Sequence, residues 1–492
     1  MGREVGATEY TRSQRTRYRR DLRRNLDVFE SFLDSAEFRT EGTIGVELEM
    51  NLARPDGTPA LDSAAVLSDL DDGFVHEIGA FNLESDLPVT HVPGRGLRSL
   101  EDELAERMST ADAAARAHNA RIVTIGHLPT LTEDLFHDPS WRAPGSRFAA
   151  LDHAVMELRG EEIVLDIEGE GKGLVAEFDS VGPEAACTSM QLHLQVAPER
   201  FAAAWNAAQA IAGLQVALCA NSPFLMGRRL WHETRIPTFL QALDVRPPEY
   251  AEQGVRPRVW FGERWITSMF DLFEENVRLF PALIPESRQM AEEPLLTEGS
   301  APKLYELMLH NGTVWRWNRP IYDPGTDMPH LRLENRLLPS GPTPIDMAAN
   351  AAFFYGIVHS LMEERRPVWS RISFDHARRM FRSCSRAGIG ALVSWPRQGV
   401  VPVAELLREE IIPRAMEGLG ALGVEDDVVT RYGQVLIGRA TTRRNGARWQ
   451  IDTVAALERA GADRAEALAE MTRLYMQGMW SDRPVHEWDV PG

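Results

Sequence analysis

Four short stretches of this chain place chemically capable side chains on one face of a strand. In Gly45-Val46-Glu47-Leu48-Glu49-Met50, alternation with period two sets two carboxylates on one face and apolar side chains on the other. The pattern recurs in Asn82-Leu83-Glu84-Ser85-Asp86, in Gln191-Leu192-His193-Leu194-Gln195 and in Arg332-Leu333-Glu334-Asn335-Arg336. Any one of these strands alone reads as an ordinary solvated edge. The four together, each bracketed by turn residues, read as neighbours in one sheet with an apolar back for helices. The other face of that sheet would crowd carboxylates too closely to stay ionised without cations. Oxygen ligands from Glu47, Glu49, Glu84 and Glu334, with His193 as the single nitrogen, suit Mg²⁺ or Mn²⁺ and a polyphosphate better than zinc.

Other catalytic schemes find little support. No Gly-x-Ser-x-Gly elbow or His-Glu-x-x-His zinc pattern occurs, and Cys187 sits beside no obvious base in the sequence. Gly418-Leu419-Gly420-Ala421-Leu422-Gly423 matches a dinucleotide fingerprint, but it follows a helical stretch, so it reads as a helix end and a turn. Gly169-Glu170-Gly171-Lys172-Gly173 lacks the spacing and hydroxyl of a phosphate loop and reads as a flexible loop able to close over a site.

The elements that must position the acidic strands follow from periodicity. Strands are expected at 44–52, 77–87, 122–128, 188–197 and 330–337, with helices at 97–121, 199–219 and 344–363. The segment 130–175 reads as loop-rich, and 238–330 as a mixed, Trp-containing insert. From Val403 to about residue 477 the pattern is helical. Leu22, Leu26, Phe29 and Phe32 make the arginine-rich start an amphipathic helix packed on the body. Three divisions result: an N-terminal helix in 1–40, a core in 41–364 and a mainly helical extension in 365–492.

Composition bounds the rest. The 492 residues are 44% hydrophobic and 25% charged, enough for a large soluble core. A net charge of −19 argues against a nucleic-acid partner. Positive charge is nearly all arginine, since Lys172 and Lys303 are the lysines, so any anion clamp is built from guanidinium groups. Three scattered cysteines (Cys187, Cys219 and Cys384) make neither a zinc set nor a disulfide framework, which favours a reducing cytoplasm. No stretch reads as a membrane span, and the start lacks the apolar run of a signal peptide.

Several of these segments resemble a known family. The strand Gly45-Val46-Glu47-Leu48-Glu49 is similar to the opening strand of the second type of glutamate–cysteine ligases, the carboxylate–amine ligase group. Leu218-Cys219-Ala220-Asn221-Ser222-Pro223-Phe224 with Glu233-Thr234-Arg235 resembles that family's Asn-Ser-Pro-Phe segment and downstream arginine. Ala186 to His193 resembles its central metal-binding strand, and Arg332 to Arg336 its late Glu/Arg strand. The likeness covers roughly residues 40–360.

The resemblance implies an α+β, glutamine synthetase-like fold, a curved antiparallel sheet forming a funnel with helices on its outer face. It also implies ATP- and Mg²⁺-dependent formation of a γ-glutamyl amide through an acyl phosphate. Glu47, Glu49, Glu84, His193 and Glu334 would then bind metal. Arg332, Arg336 and Arg235 would hold phosphate or an amino-acid carboxylate, and Asn221 would orient nucleotide or substrate. The implied partners are small molecules, an amino acid and an amine, with a homo-oligomer left open. A guanidino-type phosphotransferase on the same fold, or a non-catalytic binder of nucleotide or amino acid, remains the alternative.

Overall fold

The computed structural model describes residues 7, 9–288 and 300–492. Residues 289–299 of the insert-like segment and residues 1–6 and 8 of the N-terminal division lie outside the described residues. Six strands carry the main sheet: β1 (Thr43–Ala53), β2 (Phe74–His76), β3 (Asn82–Asp86), β4 (Ser189–Gln195), β5 (Asn318–Asp323) and β6 (His330–Pro339). Their order is β5-β6-β4-β1-β3-β2, and every neighbouring pair is antiparallel. Strand β1 is the hub. Thr90–His91 extends the β3 edge at its start, and Arg121–Val123 extends the β4 edge at its end.

The four stretches with acidic or imidazole side chains on one face are thus four adjacent strands of one sheet. On β1 the apolar row Ile44, Val46, Leu48, Met50 and Leu52 is buried. Helices α1 (Arg12–Ser35), α2 (Gly96–Ala117), α3 (Pro198–Cys219) and α4 (Pro344–Met362) surround the sheet. Those on its apolar back are tied to it by polar bonds. Trp205 Nε1 of α3 donates to the Asn318 carbonyl at 2.9 Å, and the Tyr355 hydroxyl of α4 to the His193 carbonyl at 3.1 Å. By length and composition α3 could cross a membrane, contrary to the sequence reading, but it is a core helix with 89% of its most apolar window buried.

Two other sequence expectations change. The strand expected at 77–87 is confined to Asn82–Asp86, and 77–81 form the turn after β2, where a Cβ on Gly79 would come 2.1 Å from Asn82 Oδ1. The segment 130–175 holds a helix, Ser146–Arg159, and most of a hairpin, Ile163–Ile167 with Leu174–Phe178. The hairpin buries Ile163, Leu165 and Ile167 against Leu174, Ala176 and Phe178, an alternation masked by the glycines of its turn. That turn is anchored rather than loose. Glu170 N donates to the Arg229 carbonyl, and the Glu170 carboxylate lies 3.8 Å from Arg229 and 3.7 Å from Arg464.

Of the C-terminal helices, α5 (Ile412–Ala421) and α6 (Asp426–Thr442) pack on α4, while α7 (Gly446–Arg459) and α8 (Arg464–Met479) pack on each other. The glycine run at 418–423 ends α5, as its context suggested. Gly418 also lets α5 approach α4, since a Cβ there would fall 2.0 Å from the Gly356 carbonyl oxygen. Between α2 and α6, Glu101 accepts two bonds from Arg431, at 2.6 and 3.0 Å, and one from the Tyr432 hydroxyl at 2.8 Å.

Burial alone would raise the Glu101 carboxyl, but these bonds and the nearby Arg98 hold it below the usual carboxylate range. A group lowered by folding stabilises the protein above its unfolded pKa, about 4.3, and loses that contribution as the pH falls through its folded value. Glu101→Gln should therefore cost about 1–3 kcal/mol at pH 7. The gap to wild type should close in melting curves taken below pH 4. A constant gap across that range would mean that the carboxylate charge is not what joins the two helices.

Candidate active site

The register places the polar face of the sheet residue by residue. Glu334 lies opposite His193, which lies opposite Gly45, and Glu49 lies opposite Glu84. Across the diagonal from β1 to β4, Glu47 Oε1 comes 3.0 Å from His193 Nε2, and Glu334 Oε1 lies 4.0 Å from the same nitrogen. Glu47, His193 and Glu334 thus offer three donor atoms within 4.8 Å of one another. A second triad, Glu49, Glu77 and Glu84, meets the same limit.

All five acidic or imidazole ligands expected from sequence are therefore on one face, divided between two triads. Glu77 was not foreseen as a ligand. It follows β2 in the turn that leads to β3, so no alternation marks it.

Each triad is held by its surroundings. Glu49 accepts from Ser189 N and Oγ, both at 2.7 Å, and from Gln191 Nε2 at 2.9 Å. Arg336 donates in turn to Gln191 Oε1, so guanidinium, amide and carboxylate form a relay. Glu334 is gripped by Arg319 through two bonds of 2.5 and 2.8 Å, and Arg336 lies 3.4 Å away. Arg319, on the edge strand β5, was also missed. Its segment Asn318-Arg319-Pro320-Ile321 contains a proline, which is tolerated on such an edge.

The two triads differ electrostatically. Burial would raise Glu47, but His193 outweighs it and brings the carboxyl down to about 2. Burial acts on Glu334 in the same way and is overcome by Arg319 and Arg336, which hold it well below the usual range. In the second triad burial dominates. It pushes Glu49 up to about 7, helped by Glu77, and pushes Glu84 well above the ordinary value, helped by Glu47, Glu77 and Glu49.

The remaining predicted residues stand around this face. Arg336 belongs to it. Arg332 pairs with Asp323 Oδ2 at 3.1 Å and His330 Nε2 at 2.8 Å, toward the outer end of β6. Arg235 is buried against Glu233 at 3.1 Å, and its charge acts on Glu49 from beneath. Asn221 does not join the cluster. Its amide donates to the Ser340 carbonyl at 2.7 Å and the Tyr475 hydroxyl at 2.8 Å, and accepts from Gln450 at 2.9 Å. It acts on the site through the frame, bracing the turn after β6 against α7 and α8.

Cys187, which the sequence left without a base, has His127 Nε2 3.4 Å from its Sγ. Burial lowers His127 to about 3 and pushes the thiol up, so the pair is neutral and not an activated nucleophile.

With this geometry in place, comparison with known proteins is informative. The profile of Glutamate-cysteine ligase family 2 matches residues 43–408, reaching past the end of the core expected from sequence. Comparison with curated protein sequences returns no match. Among solved structures, the chain is similar to a Glutamate–Cysteine Ligase from Francisella tularensis in complex with AMP. The TM-score is 0.55 at 9% identity, over 93% of this chain and 91% of that one. A bifunctional glutathione synthetase from Pasteurella multocida aligns with a TM-score of 0.49 at 12% identity. It covers 95% of this chain but 55% of its own length. The first likeness bears out the glutamine synthetase-like fold expected above.

Two substitutions test this arrangement. Glu84 is a carboxyl raised by burial and by its neighbours, so its ionised form destabilises the metal-free protein at neutral pH. Glu84→Gln should melt no lower than wild type in chelator, and a lower melting temperature there would contradict the crowding. Asn221→Ala should instead lower stability by about 1–3 kcal/mol, because it strands buried partners on three elements. Denaturant melts of this variant at unchanged stability would remove the bracing role.

Proposed function

Because the chain belongs to glutamate-cysteine ligase family 2, we propose that it is an ATP- and Mg²⁺-dependent carboxylate–amine ligase, with Mn²⁺ as the other suitable cation. In this reading it joins the γ-carboxylate of glutamate to an amine, with cysteine the acceptor that the family name suggests. The observation that carries the proposal is the pair of oxygen-rich triads side by side on one sheet face, with Arg319 and Arg336 against the first. The donor set, five carboxylates and one imidazole, fits hard cations. A second triad too crowded to be fully ionised alone fits them as well.

The chemistry explains why such a face is needed. A free carboxylate is a poor electrophile. Its oxygen attacks the γ-phosphorus of ATP, the bond from that phosphorus to the β-phosphate oxygen breaks, and ADP leaves behind an acyl phosphate. The amine nitrogen then attacks the acyl carbon, phosphate departs with the C–O bonding pair, and the nitrogen gives up its proton. Both partners of the first step are anions, so positive charge must be fixed beforehand where they meet. Cations held by Glu47, His193 and Glu334 and by Glu49, Glu77 and Glu84 would supply charge neutralisation at the phosphate oxygens.

The chain's own residues orient that charge. Arg319 locks the Glu334 carboxylate in one plane. Arg336 links Glu334 to Gln191 and through it to Glu49, so one guanidinium spans both triads. We assign Arg336 as the phosphate clamp, with Arg332 further out on β6 and Arg235 supporting from beneath. Three free cysteines fit work in a reducing cytoplasm.

Glutamate, ATP and Mg²⁺ should yield ADP, and added hydroxylamine should trap the activated acid as its hydroxamate. Arg336→Lys should cut hydroxamate formation at least about tenfold although the charge is kept, because an ammonium cannot reproduce the planar fork. A phosphotransferase would release ADP and leave no hydroxamate with any acid tried. That result would end the ligase reading while leaving the fold intact.

A further inference from the structure

The polar face of the sheet has one bare position. Gly45 is the one glycine in β1, β3, β4 and β6, and the alternation of β1 puts it on the same face as Thr43, Glu47 and Glu49. It lies across from His193, which lies across from Glu334, so it stands in line with the first triad. A glycine inside a central strand weakens that strand, and a backbone turn or a close approach usually explains it. Neither explains Gly45. Its φ is not positive, and a Cβ built on it meets only the His193 Cβ, at 3.7 Å, an ordinary contact. The folded chain has room for a side chain here and carries none.

That room is open to solvent. Thr43, Gly45 and Glu47 are all partly exposed, although β1 is the hub of the sheet. On the β3 side, pairing with β1 stops at Asp86 opposite Glu47 and resumes at Thr90 opposite Ile44. Leu87 N still donates to the Val46 carbonyl at 2.9 Å, but the exposed Pro88 and Val89 step out of the ladder. Gly45 therefore has no ladder partner on that side.

The two ends of the face differ. Beyond Glu49 and Glu84 it is closed. Asn82 donates to Asn51 Oδ1 at 2.9 Å, Asn51 donates to Thr188 Oγ1 at 3.0 Å, and all three side chains are fully buried. In the other direction the face runs past Gly45 to Arg332 and His330, outward of Glu334 on β6 and only half-buried. A nucleotide whose phosphates meet cations at the triads is too long to stay above them. Its nucleoside end must leave by the open end, and that route crosses Gly45, roughly 7 Å from Glu47 along the strand.

We propose that the ribose end of the nucleotide lies against the bare β1 backbone at Gly45, so that this glycine sets how deeply the phosphates reach toward the first triad. That the occupant is a nucleotide follows from the ligase reading. A methyl group at this position would fill the space without disturbing the fold, and a larger side chain would hold the nucleotide off the sheet.

Gly45→Ala and Gly45→Val separate this role from a structural one. In chelator and without nucleotide, Gly45→Ala should melt no lower than wild type, because its Cβ meets no close neighbour. Calorimetric titration with ATP and Mg²⁺, no acid present, should give a Kd raised at least about tenfold in Gly45→Val, with Gly45→Ala in between. At saturating ATP the KM for glutamate should stay at its wild-type value. A lower melting temperature for Gly45→Ala in chelator would make the glycine a requirement of the strand itself and overturn the proposal. An unchanged Kd for ATP overturns it equally, whether or not the KM for glutamate rises. A wild type that binds ATP but releases no ADP with any acid ends the ligase reading alone, and the Kd ratio still decides for Gly45. One that binds no ATP overturns both.

Discussion

Repulsion between buried carboxylates is the constraint on which the rest of this structure depends. Six acidic or imidazole groups are drawn onto one sheet face within two groups of 4.8 Å, and the protein balances them in two different ways. In the first triad the His193 imidazole stands between Glu47 and Glu334, and Arg319 and Arg336 offset the charge of Glu334. In the second triad no described arginine lies within ion-pair distance, so it relies on protons and on longer-range help from Arg336 and Arg235. One half of the face is thus charged and organised at rest, while the other half gains most from an added cation.

Holding like charges together requires a stiff support, and the back of the sheet supplies it. The apolar row of β1 is buried, α3 packs on β6 and α4 on β4, and α5 locks onto α4 at the Gly356–Gly418 contact. The C-terminal helices matter to the site although they touch none of its carboxylates. Tyr475 of α8 donates to the Thr124 carbonyl at 2.8 Å and receives the Asn221 amide, while Ser340 reaches on to the Glu49 carbonyl at 2.7 Å. Polar crosslinks of this kind raise the cost of any local rearrangement, because breaking one strands several buried partners.

Much of this was legible in the sequence, for a physical reason. Ligands on regular strands announce themselves through period two, which is why Glu47, Glu49, Glu84, His193 and Glu334 could be named before their neighbours were known. Glu77 sits in a turn and Arg319 beside a proline on an edge strand, where alternation is short or broken, so neither stood out. Asn221 shows the opposite failure. A family-like segment suggested contact with a ligand, yet the side chain is engaged with Ser340, Tyr475 and Gln450, elements far away in sequence. His127 could not be paired with Cys187 for the same reason, since sixty residues separate them.

The position of β1 at the centre of the sheet also governs how the chain reaches this state. Glu47 and His193 are 146 residues apart, and Ser340 meets the Glu49 backbone across 291 residues. Closing loops of that size is entropically costly, and non-local strand pairing makes folding slow. The pairing of β6 with β5 closes only a short turn, and that of β3 with β1 the segment 54–81, so these two halves need smaller closures than those that bring in β4. Strand β4 then has to enter between β1 and β6, bringing the His193 imidazole in between Glu47 and Glu334. The acidic face is completed by the same event that completes the sheet, so a chain caught before it would expose unpaired edges on both halves, the kind of surface on which strands of other chains add.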